Sequence, residues 1–468
     1  MAGAAFSRVT SRAAAILFVV VGLAPGVALA QGGVMSQADG EAVAQAYRAA
    51  PEFRTPPGLD AAVAALASAD PAARGRADAQ LSAAARALAA GEHGSPANPA
   101  SIDPDWDLRG PYDVAADFAA AKAQGRIAAW ILAQPRKDQA YLDMVSAWRR
   151  YDAISAKGGW TTIPSGRELK TGSTGPAVER LRARLADEGY VATPSKTADV
   201  FDDALADAVS DFQTKHGIEA SGVVDEDTIE ALNVSAEDRT TTLAANLERA
   251  RWLPDQFPPD RVEADVGAAQ VTLFKGGEPV LTMRAVVGDR KHHTPIFVAN
   301  VVAVVFNPPW VVPADIAKAE LFPKAHRSPG YFARNDMYVS NGQIIQRAGP
   351  KSSLGRIKFD LSDPYAIYMH DTPAKSLFAL DDRWRSHGCM RLQEPRKMAV
   401  ALLASDKWDE DAVDAAIDAK VTKRIGLSQR LPIYVVYRTA EASKDAPATF
   451  REDAYGWDTK LMDAIKKS

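Results

Sequence analysis

The sequence predicts an α+β chain of several domains: a helical N-terminal scaffold, a small three-helix module, and a mainly β domain carrying an inserted lid subdomain. Three observations predict it. Within a helical scaffold of residues 41–160, Glu41 to Ala90 is dominated by alanine, leucine and arginine, cut into short helices by Pro51, Pro56, Pro57 and Pro71. Residues 166–234 show a cap, an apolar stripe and a stop three times over. Beyond Asn246 to Pro254 the apolar period changes from 3.6 to 2. A length of 468 residues agrees with roughly three domains.

The first thirty residues carry Arg8 and Arg12, no acid, the apolar run Ala13 to Val21, and Ala28-Leu29-Ala30 before Gln31. Pro25 and Gly26 interrupt the run, which is shorter than the ~20 residues a membrane span needs, so 1–30 reads as a secretory signal peptide and the expected location is the periplasm, tethered if the signal is uncleaved. The net charge of −4 becomes −6 once Arg8 and Arg12 are removed, which speaks against nucleic acid as a partner. No stable protein partner is legible.

In the scaffold, Val114 to Ala133 and Gln139 to Lys157 have helical spacing and no candidate chemistry. In the module, Thr174 is the expected cap of a helix with Pro176 in its first turn, Val178, Leu181 and Leu185 on one face, and Gly189 as the stop. Asp202 or Asp203 opens a second with Leu205, Val209 and Phe212; Asp225 or Asp227 opens a third. His216 has two readings, a helix C-terminal residue favoured by the dipole or a ligand contact.

The β domain spans 246–440. Lys275-Gly276-Gly277-Glu278 joins Gln270–Phe274 to Pro279–Ala285 as a hairpin, and Phe297–Phe306 is a strand that Pro308 and Pro309 end. Residues 311–350 lack clear strands and form the lid; the sheet resumes at Gln343–Gln346 and Pro364–Met369. Helices follow from Pro395 and Asp409, then a strand from Pro432 to Tyr437, with 441–468 as a C-terminal extension.

Cys389 is the single cysteine and sits in Ser386-His387-Gly388-Cys389-Met390-Arg391. It can form no internal disulfide, so in an exported chain its presence favours chemistry over packing. A thiol that attacks a carbonyl needs a base, a group that orients the base, and donors for the oxyanion. His387 at i−2 in a tight loop rarely faces the cysteine, whereas His370 at a strand end can, so His370 is the expected base and His387 shapes the loop or touches substrate. Gly388 lets the backbone approach closely, so the N–H groups of Gly388 and Cys389 are the expected oxyanion donors. One sulfur is too few for a zinc site, and no metal or cofactor is expected.

Two resemblances sharpen this. Leu169-x-x-Gly172-x-x-Gly175-x-x-Val178-x-x-Leu181, Gly189-Tyr190, Phe201-Asp202, Val209-x-x-Phe212-Gln213, His216-Gly217 and Ala231-Leu232-Asn233 resemble the peptidoglycan-binding type 1 domain, which implies a cell-wall glycan or stem-peptide partner. His370-Asp371-Thr372-Pro373, Phe378, Arg383 and Ser386-His387-Gly388-Cys389 resemble the signature of the YkuD-type L,D-transpeptidases, and the layout is similar to their large YcbB-type branch. Arg391 replaces the Asn of the shorter signature, and Ser352 an Asn expected before Leu354-Gly355. The resemblance implies a thioester at Cys389 made from a tetrapeptide stem, its transfer to the amine of another stem as a 3-3 cross-link, and the Asp371 carbonyl orienting His370. Ser386, Arg391, Arg383, Trp310 and Tyr368 are the expected substrate contacts. A Cys-His hydrolase, with water in place of the amine, and a non-catalytic wall-binding protein are the rival readings.

Overall fold

The computed structural model describes residues 33–94, 99–108, 112–166, 168–190, 198–444 and 446–467; the expected signal peptide lies outside them. Helices α1 (Gln37–Ala49), α2 (Leu59–Ala65), α3 (Pro71–Glu92), α4 (Val114–Ala123) and α5 (Ile127–Leu132) share one alanine-rich core with Val43, Leu81, Leu88 and Ile131. Gly125, at φ +62°, separates α4 from α5 where the spacing predicts one continuous helix. Strand β1 (Trp106–Asp107) leaves this body and pairs in parallel with the catalytic sheet.

Helix α6 (Gln139–Ala156), capped by Asp138, packs along α10 (Ala236–Arg251) instead of joining the N-terminal bundle. The sequence shows only the last turn of α10. Its buried face includes Arg239, Asn246, Glu248 and Arg249, so no apolar stripe announces it. Asn246 and Arg249 bond Thr439 at the end of the catalytic sheet, and Arg249 pairs with Asp458 at 2.6 Å.

The three-helix module consists of α7 (Pro176–Glu188), α8 (Asp203–Lys215) and α9 (Glu226–Asn233). Asp202 and Asp225 cap the second and third. Thr174 does not cap the first: it bridges Val200, leaving Gly175 as the cap residue. His216 is not a charged dipole partner. Its Nδ1 lies 2.7 Å from the Phe212 carbonyl, its ring stacks on Phe212 at 3.9 Å, and burial holds its pKa well below the ordinary value.

The catalytic sheet contains β2 (Arg261–Asp265), β3 (Gln270–Lys275), β4 (Glu278–Gly288), β5 (Ile296–Phe306), β9 (Ile357–Leu361), β10 (Met369–His370), β11 (Trp384–Ser386), β12 (Met390–Leu392) and β13 (Lys423–Val436). The order β5-β13-β2-β3-β4-β12-β10-β9 closes on itself because β9 also pairs with β5. The ring encloses a core that includes Val271, Leu273, Phe359, Met369, Met390 and Val435. Strand β10 is shorter than expected, since the Asp363 carboxylate accepts the N–H groups of Tyr365 and Ile367 and holds that stretch as a turn.

Between β5 and β9, β6 (Trp310–Val311), β7 (Met337–Ser340) and β8 (Gln343–Gln346) form a separate three-stranded sheet. Gln343–Gln346 therefore belongs to the insertion and not to the main sheet. Short helices α11 (Ala314–Ile316), α12 (Phe322–Arg327) and α13 (Tyr331–Arg334) flank it, with a π-helical turn at Ala317–Leu321. Val312, Leu321, Met337 and Ile344 give the insertion its own core, on which Trp310, Tyr331 and Phe332 pack. Helices α14 (Pro395–Leu403) and α15 (Glu410–Asp418) add Met398, Leu402 and Val413 to the barrel core; α16 (Trp457–Lys467) packs on α10, and β14 (Ala440–Glu441) pairs with β15 (Thr449–Phe450).

Candidate active site

Strand register brings together the residues expected as nucleophile and base. β10 and β12 are parallel, with Met369 beside Met390 and His370 beside Arg391. Met369 and Met390 point into the core, so the alternation of a strand turns His370 and Arg391 outward, and Tyr368 and Cys389 one step earlier onto that same face. Antiparallel β9 adds Lys358 opposite His370. Five chemically active side chains thus share one patch of the barrel's outer face.

His370 is 5% exposed, and its Nδ1 lies 2.5 Å from the Asp371 carbonyl. A carbonyl can only accept, so Nδ1 carries the proton and Nε2 is the free basic nitrogen. Burial, then the charge of Arg391, lowers its pKa to about 3, which keeps the ring neutral. The Asp371 carboxylate in turn accepts from Arg356 N (2.8 Å), Thr372 N (2.7 Å) and Lys375 Nζ (2.6 Å). Gly355, at φ +60°, makes this possible: a Cβ there would lie 2.2 Å from Asp371 Oδ2. Ser352, in place of the expected Asn, accepts from Leu354 N and completes the turn before it.

Cys389 is half-buried against the barrel core. Desolvation raises its pKa, and hydrogen bonds from the Tyr368 N–H and hydroxyl oppose that rise only in part. The resting pair is therefore a thiol beside a neutral imidazole. Tyr368 contacts Cys389 and Trp310, bringing the insertion's first strand to the nucleophile, and Lys358 Nζ lies 4.5 Å from the Tyr368 ring centre.

The loop before Cys389 is locked from within. Ser386 Oγ donates to the Cys389 carbonyl at 2.6 Å and accepts the Gly388 N–H at 3.1 Å; Thr294 Oγ1 donates to the Gly388 carbonyl at 2.8 Å. Two expectations change. The Gly388 N–H is spent on Ser386 and is not an oxyanion donor, while the N–H groups of His387 and Cys389 have no acceptor among the described residues. Ser386, 2% exposed with both roles of its hydroxyl used, holds the loop and does not face substrate.

Arg383 is also scaffold: it donates to the carbonyls of Leu380 (2.8 Å) and Ala268 (3.1 Å), tying two loops together. The Arg391 guanidinium has no hydrogen bond or ion pair among the described residues and stays available to an anion; burial lowers its pKa. His387 turns toward the insertion, its Nε2 2.9 Å from Glu320 Oε1 and its ring 4.4 Å from that of His292. Lys358 and Glu320 are the residues sequence reasoning missed. Lys358 was legible only as the outward position between Ile357 and Phe359, and Glu320 had no signal at all.

Residues 259–409 match the family model YkuD, described as "L,D-transpeptidase catalytic domain", and residues 174–232 match PG_binding_1, a "Putative peptidoglycan binding domain". A curated relative from Haemophilus influenzae, named "Putative L,D-transpeptidase", is 26% identical over 254 residues, covering 49% of this chain and 51% of its own length. The chain thus spans about half the length of that relative. Among solved structures, an L,D-transpeptidase from Xylanimonas cellulosilytica is 17% identical, covering 58% of this chain and 98% of its own, with a TM-score of 0.19. Mycobacterium tuberculosis L,D-transpeptidase 1 is 17% identical over 38% of this chain and 61% of its own, with a TM-score of 0.18. Scores this low bear on no detail of the arrangement. By the two domain matches, this chain carries the catalytic domain of the YkuD L,D-transpeptidases together with a peptidoglycan-binding type 1 domain.

Proposed function

We propose that this protein is an L,D-transpeptidase that forms 3-3 cross-links in peptidoglycan by acyl transfer through Cys389. The observation that carries the reading is the shared outer face of β10 and β12, where Cys389 stands with a neutral His370 whose Nδ1 is already committed to the Asp371 carbonyl. Neutral imidazole is the competent base for a thiol whose pKa is raised.

In the first half-reaction Cys389 Sγ attacks the carbonyl of the third residue of a tetrapeptide stem as His370 Nε2 takes the thiol proton. The oxyanion is received by the Cys389 and His387 N–H groups. His370 then gives its proton to the departing nitrogen, and the terminal D-amino acid leaves. In the second, the side-chain amine of another stem attacks the thioester carbonyl; the C–S bond breaks, and the amine's proton returns through His370 to sulfur. Arg391, whose guanidinium has no partner among the described residues, offers positive charge to the carboxylates of the donor stem, while Lys358 beside it is paired with Asp360 at 2.8 Å.

The peptidoglycan-binding domain supports a wall substrate and adds local concentration. Such a substrate, with the apolar run Ala13 to Val21 ahead of Ala28-Leu29-Ala30, supports a periplasmic location. The test incubates purified chain with a defined tetrapeptide-stem dimer and follows masses. A Cys389 adduct followed by a cross-linked product is the expected result; hydrolysed tripeptide alone would make the enzyme a hydrolase, and no adduct would end the reading.

A further inference from the structure

The patch around Cys389 is divided by charge. On the strand side stand Arg391, with no partner for its guanidinium among the described residues, and Lys358, paired with Asp360 at 2.8 Å. On the insertion side stands Glu320, in the π-helical turn Ala317–Leu321, a local irregularity of the kind that re-aims a side chain. Glu320 reaches the catalytic loop itself: its Oε1 lies 2.9 Å from His387 Nε2, two residues before the nucleophile. His387 is held in that direction by His292, whose ring lies tilted against it at 4.4 Å and whose Nδ1 is fixed by Asp289 at 3.0 Å. The second carboxylate oxygen of Glu320 is taken by a primary ammonium from the chain's own insertion, Lys324 Nζ at 2.7 Å. Both side chains of that pair are open to solvent, Lys324 at 42% and Glu320 at 35%, so the ammonium can leave and another can replace it.

We propose that Glu320 is the positioning residue for the acyl acceptor: it receives the primary ammonium of the incoming stem's side chain at the edge of the catalytic loop, in the place Lys324 fills in the free enzyme. This rests on the functional reading above, in which the Cys389 thioester passes to an amine. The two stems are then told apart by charge. A donor presents carboxylates to the strand side, and an acceptor presents an ammonium to the insertion side. Glu320 does no chemistry. The bound ammonium sheds one proton to solvent, and the neutral amine attacks with His370 as base, as described. Water, having no charge, gains nothing from Glu320, so the carboxylate biases the thioester toward aminolysis.

The experiment uses the full chain and its Glu320→Gln and Lys324→Met forms, with a tetrapeptide-stem donor and a second stem bearing a free side-chain amine. Mass spectrometry reads three quantities: the rate of Cys389 acylation, the ratio of cross-linked to hydrolysed product, and the acceptor concentration giving half-maximal transfer. Glu320→Gln is expected to raise that concentration about fivefold and lower the product ratio, and Lys324→Met to lower the concentration by a similar factor, the range of a partly exposed ion pair. A purely structural Glu320–Lys324 bridge would move both forms in the same direction. Shifts of equal sign, or no shift with normal acylation, overturn this inference alone; absence of an acyl-enzyme in the unmodified chain overturns the functional reading and this inference with it.

Discussion

His216 and His370 are held in the same way and serve different ends. Each directs Nδ1 at a backbone carbonyl, Phe212 at 2.7 Å and Asp371 at 2.5 Å, and each is kept neutral by burial with an arginine close by. They part at the second nitrogen. Nε2 of His216 is shut off without a partner among the described residues, its ring stacked between Phe212 and Phe450 and flanked by Tyr190, with Arg239 itself bonded to the Ala231 carbonyl. The outward face of His370 carries a thiol, a phenol and an arginine without a partner. Orientation and neutrality are therefore properties any packed scaffold can give an imidazole. Function begins where the remaining nitrogen meets a group that can exchange a proton.

The comparison breaks most sharply at the nucleophile. Cys389→Ala is expected to abolish acyl-enzyme formation with an unchanged melting curve, and His370→Ala to slow acylation by on the order of 10²-fold or more. Retained turnover in either would end the catalytic assignment. The pH dependence follows from the two shifts. A raised Cys389 pKa and a His370 pKa lowered to about 3 both disfavour a thiolate–imidazolium pair at neutral pH. Alkylation by iodoacetamide should therefore climb with pH toward and beyond the ordinary thiol range, and a plateau between pH 5 and pH 7 would show that the ion pair forms.

The same burial acts in the opposite direction on an acid. Glu92, 3% exposed at the end of α3, has its pKa pushed up to about 8 by desolvation and then by Glu52. Its folded value exceeds the unfolded one, so the folded chain holds the extra proton between about 4.5 and 8, and stability falls as pH rises through that window. Glu92→Gln should remove this slope and stabilise the chain at pH 8 by up to roughly 5 kcal/mol. Urea midpoints at pH 5 and pH 8 decide it: a slope that survives the substitution belongs to another group.

His216→Ala carries the comparison back to the module. It should cost about 2 kcal/mol of stability through the lost aromatic stack, with acylation of Cys389 unchanged when measured below the melting transition. A specific loss of acylation would join the two histidines functionally, against their separate surroundings.

The candidate site was legible in the sequence because its residues are concentrated in two short motifs, whose spacing puts His370 at a strand end and Cys389 in a loop. The helix caps at Asp202 and Asp225 and the Gly276-Gly277 turn were legible for the same reason, since each is a local backbone requirement. What escaped depends on long-range pairing. Helix α10 buries Asn246 and Arg249 because their partners are Thr439 and Asp458, about two hundred residues on. The module is docked through Tyr151, whose hydroxyl donates to Glu188 Oε1, with Arg184 and Glu188 fully buried as a pair at 2.6 Å, and nothing near either residue announces it. Closure of the barrel rests on β9 returning to β5, a contact between strands more than fifty residues apart.

Arg383 gives the smallest effect and the finest test of how far a motif can be trusted. It falls inside the signature between His370 and Cys389, which makes it an expected substrate contact, yet its guanidinium bonds the carbonyls of Leu380 and Ala268 and leaves Nε buried without a partner. A cation spent on backbone carbonyls organises loops. It cannot also grip a carboxylate without abandoning them. Arg383→Ala should therefore cost about 1–2 kcal/mol of stability, the range of hydrogen bonds to a charged group, while the donor concentration for half-maximal acylation stays within about twofold of the unmodified chain. Arg391→Ala, which leaves no protein acceptor behind, should do the reverse, with little stability lost and the donor concentration raised several-fold. If both arginines shifted donor binding equally, the backbone bonds of Arg383 would have to give way when substrate arrives, and the loop from Leu380 to Arg383 would be part of the binding event.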